Sequence, residues 1–211
     1  MEKILITGFT RFGHYRENTT EILKKYLPEL GKYSVEYLIF PVIIFGPAEK
    51  YGEEIVAKAK EINARAIISL GMASDVHGVR IESRAINWVE NKKYCLPEEH
   101  KKIIDGDAFP KDFLCADLSK WDMDCIFSNF HARKLEHEPK ISYTAGTFCC
   151  NALMWRTLSA IKAARYAIPY IFLHLPCTLS ASRGVPGFSK KNHLTSVHQA
   201  REILAIFAIS F

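Results

Sequence analysis

Two adjacent cysteines and one histidine are the side chains in this sequence best suited to nucleophilic chemistry. Cys149 and Cys150 lie where a predicted helix begins, and His174 lies in an apolar segment that predicts a strand. A thiol at a helix N-terminus meets the positive end of the helix dipole and free backbone N–H groups, which favour the reactive thiolate. The same N–H groups can hold the oxyanion that forms during acyl transfer.

A histidine beside such a thiolate can serve as general base and acid, and a carboxylate can orient its ring. Glu82 is the candidate for that carboxylate. The residues alone leave alternatives open, because either or both cysteines could be small core residues. Glu82 could equally be a solvated strand residue or an ion-pair partner of Arg80 or Arg84.

The elements that would position these side chains alternate between strands and helices. Apolar stretches predict strands at residues 3–7, 35–42, 66–70 and 170–173. Helical periodicity predicts helices from Asn18, Thr19 or Thr20 to Gly31, and at residues 47–62, 147–164 and 194–207. This alternation predicts a three-layer α/β/α sandwich with a mostly parallel, twisted central sheet, like those of phosphorylases and hydrolases. Ligands bind such sheets at the carboxyl ends of the strands.

Composition limits the class of protein but does not identify its function. The 211 residues are 48% hydrophobic and 24% charged, which excludes disordered, collagen-like and disulfide-stapled classes. The net charge of +5 is mild and spread along the chain, so we expect no nucleic-acid partner. Six cysteines without CxxC or zinc-finger spacing predict free thiols, no metal and no cofactor.

No signal peptide or membrane-spanning segment is visible in the sequence. We therefore expect a cytoplasmic protein without a membrane partner. The chain shows no linker or repeat, which predicts one domain over residues 1–211. Within that domain, residues 93–140 form a polar, loop-rich segment that breaks the alternation of strands and helices.

Four motifs occur in order along the chain. They are Thr-Gly-Phe-x-x-Phe-Gly at residues 7–13 with Asn-Thr-Thr at 18–20, Gly-Met-Ala at 71–73 with Glu-Ser-Arg-Ala-Ile-Asn at 82–87, Ser-Tyr-Thr-Ala-Gly-Thr-Phe-Cys-Cys-Asn at 142–151, and Phe-Leu-His-Leu-Pro at 172–176. Together they resemble the motifs of the pyroglutamyl peptidase I family (pyrrolidone-carboxylate peptidases), which are cysteine peptidases. The resemblance implies removal of an N-terminal pyroglutamate from peptides through a thioester, without a cofactor, by a homotetramer.

The resemblance also implies roles for particular residues. The nucleophile is the cysteine directly before asparagine, hence Cys150, with His174 as general base and acid and Glu82 as its orienting partner. Lys92 stands where the family has an arginine near the oxyanion, and residues 93–140 depart from the family pattern. An apolar pocket for the flat lactam ring is implied by three aromatic residues, Phe9, Phe12 and Phe148.

Two other functions remain open at this point. A nucleoside phosphorylase-like binding protein would share a similar sheet, but it would need phosphate-binding side chains, and only Arg11 is suggestive. A divergent, non-catalytic relative is suggested by Lys92 and by the departure at residues 93–140.

Overall fold

The structure, a computed structural model, describes residues 1–73, 78–91, 104–135, 138–181 and 197–211. The strands in these ranges are β1 (Glu2–Phe9), β2 (Glu29–Leu30), β3 (Tyr33–Phe40), β4 (Ala64–Ala73), β5 (Val79–Glu82), β6 (Arg84–Ile86), β7 (Phe113–Cys115), β8 (Pro139–Ser142) and β9 (Tyr170–Pro176). The helices are α1 (Thr19–Tyr26), α2 (Tyr51–Glu61), α3 (Met123–Ala132), α4 (Cys149–Ala163) and α5 (Val197–Ala208).

Seven of these strands form one sheet in the order β2-β3-β1-β4-β9-β5-β8. Strand β1 runs parallel to β3 and β4, β4 runs parallel to β9, and β5 runs parallel to β8. Two pairs are antiparallel, β2 with β3 and β5 with β9. The prediction of a mostly parallel sheet is confirmed. The antiparallel insertion of β5 beside β9 was not predicted.

Hydrophobic side chains cover both faces of this sheet. On β1, Ile4 and Ile6 pack with residues of α1, α3 and α5, whereas Leu5 packs with residues of α2 and α4. On β9, Leu173 belongs to the first cluster and Phe172 to the second. Successive strand residues point to opposite faces, so each central strand contributes to both cores. The three-layer α/β/α prediction is confirmed.

The first helix ends earlier than the sequence predicted because of Pro28. The prediction extended the helix to Gly31, but α1 ends at Tyr26 and Leu27 adopts φ −133° and ψ 69°. A residue before proline is disfavoured in the helical conformation because of a clash with the proline ring. Leu30 is still buried, but it reaches the core from β2.

The second predicted helix is also shortened at one end, where residues 46–50 form a 3-10 turn before α2. The part of residues 93–140 that the structure describes contains β7, α3 and the start of β8. No helix within the described ranges has the length and apolar character needed to cross a bilayer. Within the same ranges, no group of three or more His, Cys, Asp or Glu side chains is arranged to hold a metal ion.

Candidate active site

His174 lies at the centre of the candidate site, between two other functional side chains. Its Nδ1 is 2.7 Å from Oε1 of Glu82, and its Nε2 and the Sγ of Cys150 both lie within 3 Å of the same point above Gly71. Glu82 is fully buried and His174 is 8% exposed. The structure therefore brings the three predicted residues Cys150, His174 and Glu82 into one chain of contacts.

Strand pairing explains how Glu82 reaches a histidine that is 92 residues away in sequence. Val79 and Ile81 of β5 point into the core with α1, α3 and α5. Because side chains alternate along a strand, Glu82 points to the opposite face, the face that carries Phe172 and His174 on β9. Glu82 is paired with Phe172 across the two strands, so its carboxylate reaches His174 along the diagonal.

Gly71 on β4 makes room for the nucleophile and the imidazole. It is paired with His174 across β4 and β9. A Cβ at Gly71 would lie 2.8 Å from Sγ of Cys150 and 2.9 Å from Nε2 of His174. Real Cβ atoms essentially never approach that closely, so Cys150 and His174 meet above a position that excludes every side chain.

The two adjacent cysteines have different surroundings. Cys149 is 3% exposed and packs in the core formed by α2 and α4. Cys150 is partly exposed and lines the cleft that also contains His174. The structure therefore separates the two thiols that the sequence left ambiguous, with Cys150 facing the cleft and Cys149 in the core.

The charges around His174 favour its protonated form. Burial alone would lower the pKa of His174 from its usual 6.5, but the negative charge and hydrogen bond of Cys150, and then those of Glu82, raise the pKa to about 10. An imidazolium next to a thiolate stabilises both charges. The surroundings of His174 therefore favour its imidazolium form.

Cys150 lies in the first turn of α4, where backbone N–H groups have no acceptor within the helix. The preceding Phe148 occupies the N-cap position and makes no side-chain hydrogen bond to the helix. Asn151 fixes this end of the helix: its Nδ2 donates to the carbonyls of Ile86 and Trp88, and its Oδ1 accepts from the N–H of Ile86. The first turn can thus offer N–H donors beside the thiol of Cys150.

Two adjoining cavities surround Cys150. A cleft of about 440 Å³ contains Cys150, His174 and Arg80, together with Phe12 and Phe148. A smaller cavity of about 40 Å³ shares Phe12, Phe148 and Cys150 with the cleft. Its walls are mainly apolar and consist of Phe9, Phe12, Asn18, Val42, Met72, Phe148, Cys149 and Cys150. The three aromatic residues that the resemblance implied therefore do line a common pocket beside the thiol.

Hydrogen bonds from the start of α1 hold the aromatic side of this pocket. The backbone N–H of Phe9 donates to Oγ1 of Thr20, and the N–H of Thr20 donates to Oδ1 of Asn18. Asn18 also donates from Nδ2 to the carbonyl of Thr10. The N-cap of α1 and the loop after β1 are thus fixed to each other. The sequence predicted that this segment caps α1, but it did not predict the hydrogen bonds that hold the loop after β1.

The structure places some of the charged residues considered in the sequence analysis and leaves one outside the described ranges. Lys92 lies outside the described residues, so its expected position near the oxyanion stays a prediction. Arg11 is exposed, and its backbone N–H donates to the carboxylate of Glu21. From the sequence, Arg80 was named only as a possible ion-pair partner of Glu82, and the structure places Arg80 in the lining of the cleft. The alternation of Val79 and Ile81 with Arg80 was the available signal, because it places Arg80 and Glu82 on one face.

Comparison with known proteins gives a consistent answer. The pyroglutamyl peptidase family profile matches residues 2–206. The pyrrolidone-carboxylate peptidase of Oceanobacillus iheyensis is 30% identical over 207 residues, covering 91% of this chain and 94% of that protein. The solved pyrrolidone carboxyl peptidase from Thermococcus litoralis has the same fold, with a TM-score of 0.76 at 24% identity, covering 99% of this chain and 92% of that one. The pyroglutamyl peptidase I from Bacillus amyloliquefaciens also gives 0.76, at 22% identity, covering 99% and 94%. The chain belongs to the pyroglutamyl peptidase family.

Proposed function

We propose that this protein is a cysteine-type omega-peptidase that removes an N-terminal pyroglutamyl residue from peptides. The observation that carries the proposal is the contact chain from Cys150 through His174 to Glu82 beside an aromatic pocket. Pyroglutamate is uncharged and cyclic, so a small apolar slot with a few backbone hydrogen bonds can select it. Family membership supports the same reaction.

In the proposed reaction, the Cys150 thiolate attacks the carbonyl carbon of the pyroglutamyl residue. The carbonyl oxygen becomes an oxyanion, and N–H groups in the first turn of α4 stabilise it. The C–N bond then breaks as the His174 imidazolium gives its proton to the leaving amine, which leaves a pyroglutamyl thioester on Cys150. Neutral His174 next takes a proton from a water molecule that attacks the thioester. The C–S bond breaks, pyroglutamate leaves, and the thiolate and imidazolium are restored.

Glu82 is a positioning residue in this reaction. Its Oε1 accepts from Nδ1 of His174, which leaves Nε2 facing Cys150. The buried carboxylate also favours the imidazolium over the neutral ring. Phe9, Phe12 and Phe148 are the residues we propose to contact the lactam ring.

The test is hydrolysis of a pyroglutamyl-coumarin amide under reducing conditions by the wild type and by Cys150→Ala. We expect turnover by the wild type and a loss of roughly 10⁴-fold or more in Cys150→Ala, because the nucleophile is removed. Cys149→Ala is the matched control and should retain turnover, since that side chain packs in the core. Absence of turnover by the wild type would instead favour the non-catalytic relative, and an active Cys150→Ala with an inactive Cys149→Ala would reassign the nucleophile.

Two further features belong to the proposal, a cellular location and an oligomeric state. The five cysteines in the described ranges are free thiols, which suits the cytoplasmic location that we propose and that cell fractionation can test. The homotetramer implied by the family resemblance stays a prediction, and sedimentation analysis of the purified protein can test it.

A further inference from the structure

An exposed aromatic surface lies beside the cleft, at the carboxyl end of β8. Phe113 on β7 is 59% exposed, and Tyr143, directly after β8, is 67% exposed. The guanidinium carbon of Arg84 on β6 lies 5.6 Å from the ring centre of Phe113 and 5.9 Å from that of Tyr143. We call these three side chains the aromatic platform. Single apolar side chains at a surface are ordinary, whereas grouped ones mark binding sites.

Hydrogen bonds fix the backbone that carries the platform. Ser83 donates from its N–H and from its Oγ to the carbonyl of Ser142. Arg84 donates from Nε to the carbonyl of Tyr143, and its own carbonyl accepts from the N–H of Ala145. The rings are therefore exposed although the chain beneath them is held, so a ligand can bind there with little loss of backbone freedom.

The chemistry of the platform fits a flat apolar side chain. Arg84 and Phe113 are diagonal neighbours across β6 and β7, and they lie on the face opposite to Ala85, which packs in the core with α4. The guanidinium of Arg84 is engaged by both rings and by a carbonyl, so it forms part of the surface and is not a free cation. Aromatic rings and guanidinium planes both stack on aromatic rings.

The platform is continuous with the catalytic cleft. Thr144 and Ala145, which follow Tyr143 in the chain, line the cleft together with His174 and Cys150. The wall of the cleft therefore leads directly to the ring of Tyr143.

The order of the strands directs the leaving peptide toward the platform. From the aromatic pocket outward, the sheet runs β1, β4, β9, β5 and β8. Phe9 ends β1 at the pocket, His174 lies on β9, and Tyr143 follows β8. In the proposed reaction the lactam ring occupies the pocket and His174 protonates the leaving amine. The peptide that follows pyroglutamate then lies beyond His174, on the side of β5 and β8.

The spacing of the strands sets which residue reaches the platform. Neighbouring strands are about 4.8 Å apart, so β8 lies about 10 Å beyond β9. An extended peptide covers about 3.4 Å per residue. We propose that the aromatic platform is a subsite for the second or third residue after pyroglutamate, so that the enzyme favours peptides with an aromatic side chain there. This inference rests on the proposed function and names a class of substrate within it.

The test compares kcat/KM for four uncharged peptide amides. The reference is pyroglutamyl-trialanine amide, and the other three carry phenylalanine in place of the first, second or third alanine. We expect phenylalanine at the second or third position to raise kcat/KM of the wild type about three- to tenfold, the size of one aromatic pair. Phenylalanine at the first position should have a smaller effect, because that residue is too close to the scissile bond to reach Tyr143.

Tyr143→Ala and Phe113→Ala should each lower that ratio toward one, whereas Tyr143→Phe should retain it because the ring remains. Phe127→Ala is the matched control and should keep the wild-type ratio, since Phe127 is an exposed aromatic residue on α3. A ratio between two substrates is insensitive to a general loss of folded or active enzyme. Sedimentation analysis of the same variants tests a second copy of the chain as the occupant of the platform.

The outcomes separate this inference from the proposed function. If the wild type hydrolyses the pyroglutamyl-coumarin amide but shows no preference at the second or third position, the subsite is wrong and the peptidase activity stands. A preference that survives unchanged in both Tyr143→Ala and Phe113→Ala has another source, and the inference is overturned. The inference also fails if these variants change the oligomeric state and leave the ratio unchanged, because the platform is then a contact between copies. Absence of turnover with every substrate would overturn both.

Discussion

The two sides of His174 contribute to the candidate site by different means. On one side are the parallel strands β1, β3 and β4, which we call the parallel half, and on the other are β5 and β8, the added pair. The parallel half contributes shape: Gly71 leaves space where any side chain would collide, and Phe9 ends a strand in an aromatic pocket. The added pair contributes charge, through Glu82 and Arg80 on the face of β5 that carries the site.

This difference shows how the site divides its tasks. Position is set by backbone and packing in the parallel half, where a small displacement would separate Cys150 from His174. Protonation is set partly from the added pair, because Cys150 and then the carboxylate of Glu82 on β5 raise the pKa of His174 to about 10. Changes in the parallel half should therefore act on all steps, whereas changes in the added pair should act mainly on pH dependence.

The largest loss of activity is expected from Gly71→Ala, which changes the shape of the parallel half directly. The new Cβ would lie 2.8 Å from Sγ of Cys150, so the thiol and the imidazole must move apart. A displacement of about 1 Å in an active site can cost 10²-fold in rate, and we expect at least that loss of kcat/KM on the coumarin amide. Gly106→Ala is the matched control, because a Cβ there meets nothing within 4 Å. Near-normal activity of Gly71→Ala would mean that shape in this half is not decisive.

A smaller effect is expected from Glu82→Gln, which removes the charge of the added pair but keeps its shape. The His174 imidazolium is present below its pKa of about 10 and is lost as pH rises through that value. Loss of the carboxylate removes one of the causes that raise the pKa, so the alkaline limb of the pH–kcat/KM profile should move to lower pH. If the pKa falls by about one unit, kcat/KM should be almost unchanged near pH 8, and the loss should approach about tenfold only above the wild-type pKa of about 10.

The control for this variant is Glu36→Gln on β3, where the partly exposed carboxylate lies 3.5 Å from Nζ of Lys3. The pH–kcat/KM profile of Glu36→Gln should match that of the wild type. An alkaline limb that stays in place in Glu82→Gln would show that Glu82 orients His174 without affecting its protonation, and the division of tasks between the two halves would then be wrong.

The smallest effect is expected from Asn18→Ala, which weakens the aromatic side of the parallel half. The variant loses the N-cap of α1 and the bond to the carbonyl of Thr10. Loss of a cap costs about 1 kcal/mol in the free energy of unfolding, which denaturant titration can measure. We also expect a higher KM for the coumarin amide, because the loop that carries Phe12 is no longer fixed to α1.

Asp122→Ala is a close match for that change, since Asp122 caps α3 through a hydrogen bond from the N–H of Cys125. It should lower the free energy of unfolding by a similar amount and leave KM unchanged. Equal KM values for both variants would show that the N-cap of α1 has no effect on substrate binding.

The sequence predicted the parallel half better than the added pair, for physical reasons. Strands β1, β4 and β9 are buried on both faces and appear as continuous apolar runs that are followed by motif residues. Strand β5 has only four residues, and nothing in so short a segment shows that it pairs antiparallel with β9. The contact between Glu82 and His174 was therefore implied by a family resemblance and became visible as geometry only in the fold.

Local chemistry explains the other differences. Pro28 ended the first helix early although the hydrophobic spacing continued to Leu30. Asn151 belongs to a motif that the sequence displayed, yet its hydrogen bonds to Ile86 and Trp88 depend on tertiary placement. The different roles of Cys149 and Cys150 could also be assigned only from the structure. Two adjacent cysteines look alike in the sequence, and only their surroundings in the fold show which one is in the core and which one lines the cleft.

The central claim is that His174, held by Glu82, keeps Cys150 as a reactive thiolate, and alkylation by iodoacetamide tests it most directly. Cys115 is an exposed thiol in the same chain and serves as the internal reference. At neutral pH we predict that mass mapping finds the first label on Cys150, and that His174→Ala slows its labelling to about the rate of Cys115. Labelling of wild-type Cys150 no faster than Cys115, or labelling of Cys149 before Cys150, would contradict the account.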